Sequence, residues 1–392
     1  MTLTVKTFRS LILVGLMALL AIPESVAQKI PDQVVKSIKF REIGPTRQGG
    51  RYVDFAVMEK SPKVIYAATA SGGLWKSVNN GQSWKSIFDN ESVISIGAVA
   101  LDQKDTSVVW VGTGEANNSR SSYWGDGVYK STDGGKTWQN MGLPESHHIG
   151  RILIDPKNSN VVYVAALGHL YSDNSERGLY KTTNGGKTWT KVLEVKKADG
   201  KFIGVVDVAM SPSDPNTLIA ASYDKIRRPW TFNEGGEGSA IYKSTDGGKN
   251  WKKLTNGLPG GFLGRIGVAY APGNSKVVYA NVENVNVEGM SADERRNMLE
   301  VGIPLGRRQT VAGVEMYRSA DGGETWKKIS PDGVDIGGAP SYYYQQVRVD
   351  PKDENHVYVI GIQVWETKNA GQSWETAFRF GGDNHAMWID PA

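Results

Sequence analysis

The octapeptide STDGGKTW, from Ser131 to Trp138, decides how this chain folds, because five other stretches repeat it. They are SVNNGQSW (Ser77 to Trp84), TTNGGKTW (Thr182 to Trp189), STDGGKNW (Ser244 to Trp251), SADGGETW (Ser319 to Trp326) and TKNAGQSW (Thr367 to Trp374). The shared pattern is Ser/Thr-x-Asp/Asn-x-Gly-x-Ser/Thr-Trp, and only Asn250 departs from it, at the seventh place of the fourth copy. The third-place carboxylate or amide can accept hydrogen bonds from backbone N–H groups of a turn. The fifth-place glycine suits a positive φ, and the closing tryptophan supplies a large apolar plug. Each octapeptide therefore reads as a strand–turn–strand corner.

Upstream of every corner lies an aromatic strand, as in GGLWKS, DGVYKS, RGLYKT and SAIYKS. Further upstream sits an alternating strand pair around a turn, as in RILIDPKNSNVVYVAAL (Arg151 to Leu167) and VRVDPKDENHVYVIG (Val347 to Gly361). One repeat is thus strand A, turn, strand B, loop, strand C, octapeptide, strand D, which is a four-stranded propeller blade. The expected fold is an all-β propeller with six full blades and the start of a seventh. DNHAMWIDP (Asp383 to Pro391) repeats the strand A pattern and leads to the expectation that further C-terminal propeller follows in the full-length protein. The corner tryptophans are 54, 51, 62, 75 and 48 residues apart, and the longest gap holds an insertion, Glu288 to Thr310. Within it Ser291-Ala-Asp-Glu294 reads as a capping box before a short helix.

The first 27 residues read as a signal peptide, with Lys6 and Arg9 before the apolar run Leu11 to Ile22 and small residues Ser25-Val26-Ala27 at the cleavage positions. The mature propeller is then expected over residues 28–392, exported to the periplasm or beyond, with no membrane span after cleavage. The chain has no cysteine, so disulfides and thiolate chemistry are excluded. Its 45 basic and 41 acidic residues are too balanced to imply a nucleic-acid partner.

The corners resemble the Asp boxes of sialidases, family 74 xyloglucanases, sortilin-type (VPS10) receptors and photosystem II assembly factors. The longer stretches REIGPTRQGGRY, VGTGEANNSRSSYWGDGVYKSTDGGKTW and LGRIG resemble large secreted bacterial proteins of the sortilin-like and xyloglucanase-like Asp-box group, from about Phe40 onward. The resemblance implies a propeller and leaves the activity open. A sialidase reading lacks the Arg-Ile-Pro signature. In the xyloglucanases one catalytic Asp stands in a Thr-Asp-x-Gly-Gly context, where this chain has Thr69-Ala70-Ser71-Gly72-Gly73. That carboxylate is absent here, which favours binding over hydrolysis.

Candidate site residues come from the strand B ends and B–C loops, which rim one face of a propeller. Glu115, His169, Asp224, Glu283 and Gln363 end strand B in successive repeats and are expected to converge. Glu115, Asp224 and Glu283 are the candidate catalytic acids. The long loops Ala116 to Asp126 and Lys225 to Gly238 add Arg120, Tyr123, Trp124, Arg228 and Trp230 as ligand contacts for a polysaccharide or a peptide. The corner acids are expected to be structural. His147-His148 reads as an isolated pair without a third ligand, so no metal or other cofactor is expected.

Overall fold

The computed structural model describes residues 50–117, 123–301, 313–338, 340–344, 346–378 and 382–392, together with Pro31 and Val34. The chain divides into two units, Met1–Arg47 and Gln48–Ala392. In the first, Val34 N donates to Pro31 O (2.8 Å), while the expected signal peptide lies outside the described residues. No helix among the described residues is long and apolar enough to cross a membrane.

The second unit is the propeller. Blade 1 is β1 (Tyr52–Val57), β2 (Ile65–Thr69), β3 (Leu74–Ser77) and β4 (Lys85–Ser86), and blade 2 is β5 (Ile96–Leu101), β6 (Val109–Thr113), β7 (Val128–Ser131) and β8 (Gln139–Asn140). Blade 3 is β9 (Ile149–Ile154), β10 (Val162–Ala166), β11 (Gly178–Thr182) and β12 (Thr190–Leu193). Blade 4 begins with a short extra strand, β13 (Val195–Lys196), then β14 (Phe202–Met210) and β15 (Leu218–Tyr223), and ends with β18 (Ile241–Ser244) and β19 (Lys252–Lys253). Its B–C loop carries a separate hairpin, β16 (Ile226–Arg227) with β17 (Phe232–Asn233). Blade 5 is β20 (Leu263–Ala271), β21 (Asn274–Asn284), β22 (Gly313–Ser319) and β23 (Lys327–Lys328), and blade 6 is β24 (Gln346–Val349), β25 (Val357–Ile360), β26 (Trp365–Thr367) and β27 (Glu375–Thr376). All pairing within the blades is antiparallel and sequential, so six copies of one local pattern yield six sheets of one topology.

The strand interiors are buried on both faces, since each sheet is covered by its neighbours. Val109, Trp110, Val111, Val162, Tyr163 and Val164 are essentially sealed from water. Such runs read as continuous apolar stretches rather than as alternation. The inner strands β1, β5, β9, β14, β20 and β24 pack in succession around an axis. Near that axis the Arg151 guanidinium bonds Asp207 (2.8 Å) and lies 4.0 Å from Asp54. Asp54 also accepts the N–H of Val99, and Asp207 that of Val268, each 3.1 Å away on the next inner strand. Burial raises the Asp54 carboxyl in spite of the nearby arginines.

The corners do more than close hairpins. In the second copy Ser131 Oγ donates to Asp133 (2.8 Å) and accepts from Gly135 N (2.8 Å), while Asp133 accepts from Lys136 N, Thr137 N and Thr137 Oγ1. The Thr137 bonds hold the Asp133 carboxyl well below its ordinary range. In the fourth copy Asn250 Nδ2 reaches Asp246 Oδ2 (2.7 Å), so the amide stands in for the missing hydroxyl. Trp138 donates to Ile87 O and Trp189 to Met141 O, each on the preceding blade. Lys76 and Tyr66 reach forward to Gly134 O, and Lys181 and Tyr163 to Gly247 O. The corners are structural, as expected, and they also tie neighbouring blades together.

The insertion forms α1 (Ala292–Val301), and Ser291 and Glu294 cap it reciprocally. The helix reaches the blade 4 loop: Arg296 pairs with Glu237 (2.8 Å) and Leu299 O accepts from Asn233 Nδ2 (3.1 Å). One expectation needs correction. Residues 382–392 form no strand. They are held by loop and side-chain bonds, Asn384 N to Gly361 O and Arg348 Nε to Met387 O (each 3.0 Å).

Candidate functional site

Strands A begin and strands B end on the same side of each antiparallel blade, and this places an ionisable cluster at one mouth of the ring. Arg51 precedes β1, Glu115 follows β6, His148 precedes β9, Lys225 follows β15, Arg265 lies in β20 and Glu283 in β21. Glu115, His148, Lys225, Arg265 and Glu283 are all buried.

Glu115 forms a tight ion pair with Arg51, whose Nη2 also donates to Asn117 O (3.0 Å) and whose guanidinium lies over the Tyr343 ring (4.7 Å). Burial nevertheless outweighs Arg51, Lys225 and Arg265, and pushes the Glu115 carboxyl up to about 7. Glu283 Oε2 accepts from Arg265 N (3.1 Å). A side chain at Gly264 would collide with that carboxylate, which gives the LGRIG stretch a physical reason. Burial, and then the neighbouring Glu234, push Glu283 up to about 8, and burial pushes Glu234 up to about 7. Arg265 Nη1 donates to Tyr342 O (2.8 Å).

Lys225 stands among these groups. Its Nζ lies 5.3 Å over the Tyr223 ring and 5.9 Å from that of Phe232. Among the described residues it has no hydrogen-bond partner, although the residue is only 6% exposed. Burial and the nearby Arg265 and Arg177 lower its ammonium well below the ordinary lysine value. A buried ammonium without an acceptor is costly, and a ligand oxygen would remove that cost.

The residues named from the sequence separate into three sets. Glu115 and Glu283 join the cluster, and Asp224 stands at its edge, bonded to Lys197 (2.5 Å) and accepting from Gly238 N (3.3 Å). Tyr123, Trp124 and Trp230 are exposed on the surrounding loops at 57%, 63% and 70%, and Arg228 closes a turn with Thr231 beside Trp230. His169 instead turns to Glu145 (2.8 Å), and Gln363 is exposed after β25 with no polar contact to the cluster among the described residues. Arg120 lies outside the described residues. The sequence reading did not count Lys225, Glu234 and Arg265 among its site residues, although Lys225 and Glu234 lie in the long loop it singled out and Arg265 in the LGRIG stretch. It also treated His147 as lacking further ligands. The fold corrects this by setting Glu145 and His169 beside it. Ala70 is buried at the end of β2, so blade 1 presents no carboxylate at that position.

A family model described as Sortilin, neurotensin receptor 3, matches residues 126–281, and the BNR/Asp-box repeat model matches residues 317–328. A xyloglucanase of Paenibacillus sp is 27% identical over 367 residues, 86% of this chain and 32% of its own length. A xyloglucanase of Hypocrea jecorina is 27% identical over 369 residues, 83% of this chain and 38% of its own length. The GH74 enzyme of Niastella koreensis shares the fold at a TM-score of 0.57 and 19% identity, over 82% of this chain and 46% of that one. The chain thus spans 32% and 38% of the length of these two curated relatives. It is an Asp-box β-propeller whose sequence is similar to sortilin-type proteins and to xyloglucanases.

Proposed function

We propose that this protein is an exported propeller that binds a glycan chain at the loop-rich mouth, with Lys225 as its central contact. The observation that carries this reading is the buried Lys225 ammonium, unpartnered among the described residues and within the electrostatic reach of the Glu115 and Glu234 carboxyls. Sugar hydroxyls supply acceptors for the lysine and donors for the carboxyls. Tyr123, Trp124 and Trp230 offer exposed aromatic planes on which sugar rings stack, with Arg228 beside them. Gln363, exposed after β25, is a further proposed contact of this rim. Similarity to xyloglucanases makes a xyloglucan-type polysaccharide the first candidate ligand. Cleavage of residues 1–27 would leave a propeller from Gln28 that meets such polymers outside the cell.

Hydrolysis is the second reading, and the Glu234–Glu283 pair favours it. Two acids that perturb one another, both raised toward neutrality, suit a general acid beside a base. Binding is tested by affinity electrophoresis of the wild type and Lys225→Met in gels containing xyloglucan and other polysaccharides. Retardation lost in the variant supports the assignment; retardation unchanged in the variant, or retention of peptides alone, overturns it. Reducing-sugar release that vanishes in Glu283→Gln, Glu115→Gln or Asp224→Asn would establish hydrolysis and name its acid.

A further inference from the structure

Beside the mouth, and separate from the Lys225 cluster, three side chains converge that no comparison assigns to a site. Glu145 lies in the single turn Pro144–Ser146, His147 follows it, and His169 comes from the loop after β10. One ligand atom from each lies within 4.8 Å of the others. His169 Nε2 is 2.8 Å from Glu145 Oε2, and His147 Nε2 is 3.9 Å from the same oxygen. The two imidazoles stack with centroids 3.8 Å apart and planes 24° from parallel. All three nitrogen and oxygen donors therefore face one small volume.

The surroundings fix this arrangement. His169 Nδ1 bonds Ser172 Oγ (2.8 Å), which leaves Nε2 free to act as the ligand atom once its contact with Glu145 is replaced. Asn174 ties the two segments together, accepting from His169 N (2.9 Å) and donating to Glu145 O (2.8 Å). Glu145 N donates to Glu176 Oε2 (2.9 Å), and Arg177 Nη2 donates to His169 O (2.6 Å). His147 is held at φ 48°, a conformation a non-glycine residue rarely adopts. Such a constraint at roughly 1–3 kcal/mol persists only where its surroundings impose it.

We infer that Glu145, His147 and His169 form a binding site for a divalent transition-metal ion of the zinc class. Two imidazoles and one carboxylate suit zinc and its neighbours rather than calcium or magnesium, which take oxygen ligands. Three protein ligands leave a fourth coordination position for water or a ligand oxygen. His148, next in the chain, bonds Glu115 O through Nδ1 (2.9 Å), so the ion would sit next to the proposed glycan-binding mouth. On metal binding the Glu145–His169 contact would be replaced by ligation through the Nε2 lone pair, and the neutral ring would keep its single proton on Nδ1, donated to Ser172 Oγ.

The test is titration of the untagged, metal-free chain with Co²⁺, followed by visible absorption, and then displacement by Zn²⁺. One equivalent of Co²⁺ with the strong d–d bands of a four-coordinate site is expected. His169→Gln should weaken binding at least 100-fold, while His356→Gln, at the histidine paired with Glu366, leaves it unchanged. Because His147 and His169 stack, Glu145→Gln is the variant that keeps the loop folded: its amide can still meet His169, and binding should fall about 10-fold or more. Absence of the bands in the wild type overturns the assignment. Bands of undiminished affinity in both His169→Gln and Glu145→Gln overturn it as well. Neither result bears on glycan binding, which is read by electrophoresis.

Discussion

The outer corners and the inner mouth of this ring follow opposite rules. At the corners one eight-residue pattern recurs in every blade, lies near solvent and satisfies its own polar groups. Asp133 takes its partners from its own turn, within four residues. At the mouth each blade contributes a different residue, the groups are buried, and they answer one another across tens to hundreds of positions in sequence. Glu115 meets Arg51, and Arg265 meets Tyr342, each from another blade. Repetition builds the frame, and departure from repetition builds the site. A locally satisfied polar group is stable wherever its turn forms, whereas a buried charge left unsatisfied by its own protein carries a desolvation cost.

That contrast can be broken most directly at the axis, where inner charges are satisfied across blades. Arg151→Met leaves Asp54 and Asp207 buried without their guanidinium, and should cost about 3–5 kcal/mol in urea unfolding. A loss below about 1 kcal/mol would mean the axial charges are as independent as the corners. Lys225→Met is the opposite case. Removing an unpartnered buried ammonium should leave the fold unchanged or stabilise it by about 1–3 kcal/mol, while polysaccharide retention falls at least about 100-fold. Destabilisation by thermal melting would show that Lys225 belongs to the frame.

The raised carboxyl of Glu115 gives the comparison a pH signature. Its folded value of about 7 exceeds the ordinary 4.5, so the folded state holds the proton more tightly. That contribution is full below pH 4.5 and is lost as pH rises through about 7, a fall on the order of 3 kcal/mol. Glu115→Gln should flatten this part of a melting-temperature profile, and a profile unchanged by the substitution would contradict the burial argument. Corner acids, held low by their turns, should act in the opposite direction and only in strong acid.

Smaller effects belong to single corners. Ser131→Ala removes the acceptor of the buried Gly135 N–H and should cost about 1–2 kcal/mol by denaturant titration. Asn250→Thr restores the repeat pattern where the amide already substitutes, and should change stability by less than about 0.5 kcal/mol. A larger gain would show that the Asn250 amide is a poor stand-in.

The amino-acid sequence alone determined the strand order, the six corners, the capped insertion helix and the two loops that carry exposed aromatics. These are local properties, set by turn-forming residues and apolar patterning within one repeat. It also located Glu115, Asp224 and Glu283, because a strand's end can be counted from its turn. Lys225 and Glu234 were hidden in a loop whose other residues looked more eloquent, and nothing local tells that the Lys225 ammonium is buried near Glu115 of blade 2 and Arg265 of blade 5. The same holds for Glu145, His147 and His169: the first two are neighbours in sequence, but the third is 22 residues from His147 and joins them through the packing of one loop on another. Residues 383–391 show the converse, a strand pattern that forms no strand and is held instead by bonds such as Arg348 Nε to Met387 O. Local chemistry chooses a backbone, whereas burial, pairing and charge balance depend on distant atoms that only the packed blades bring together.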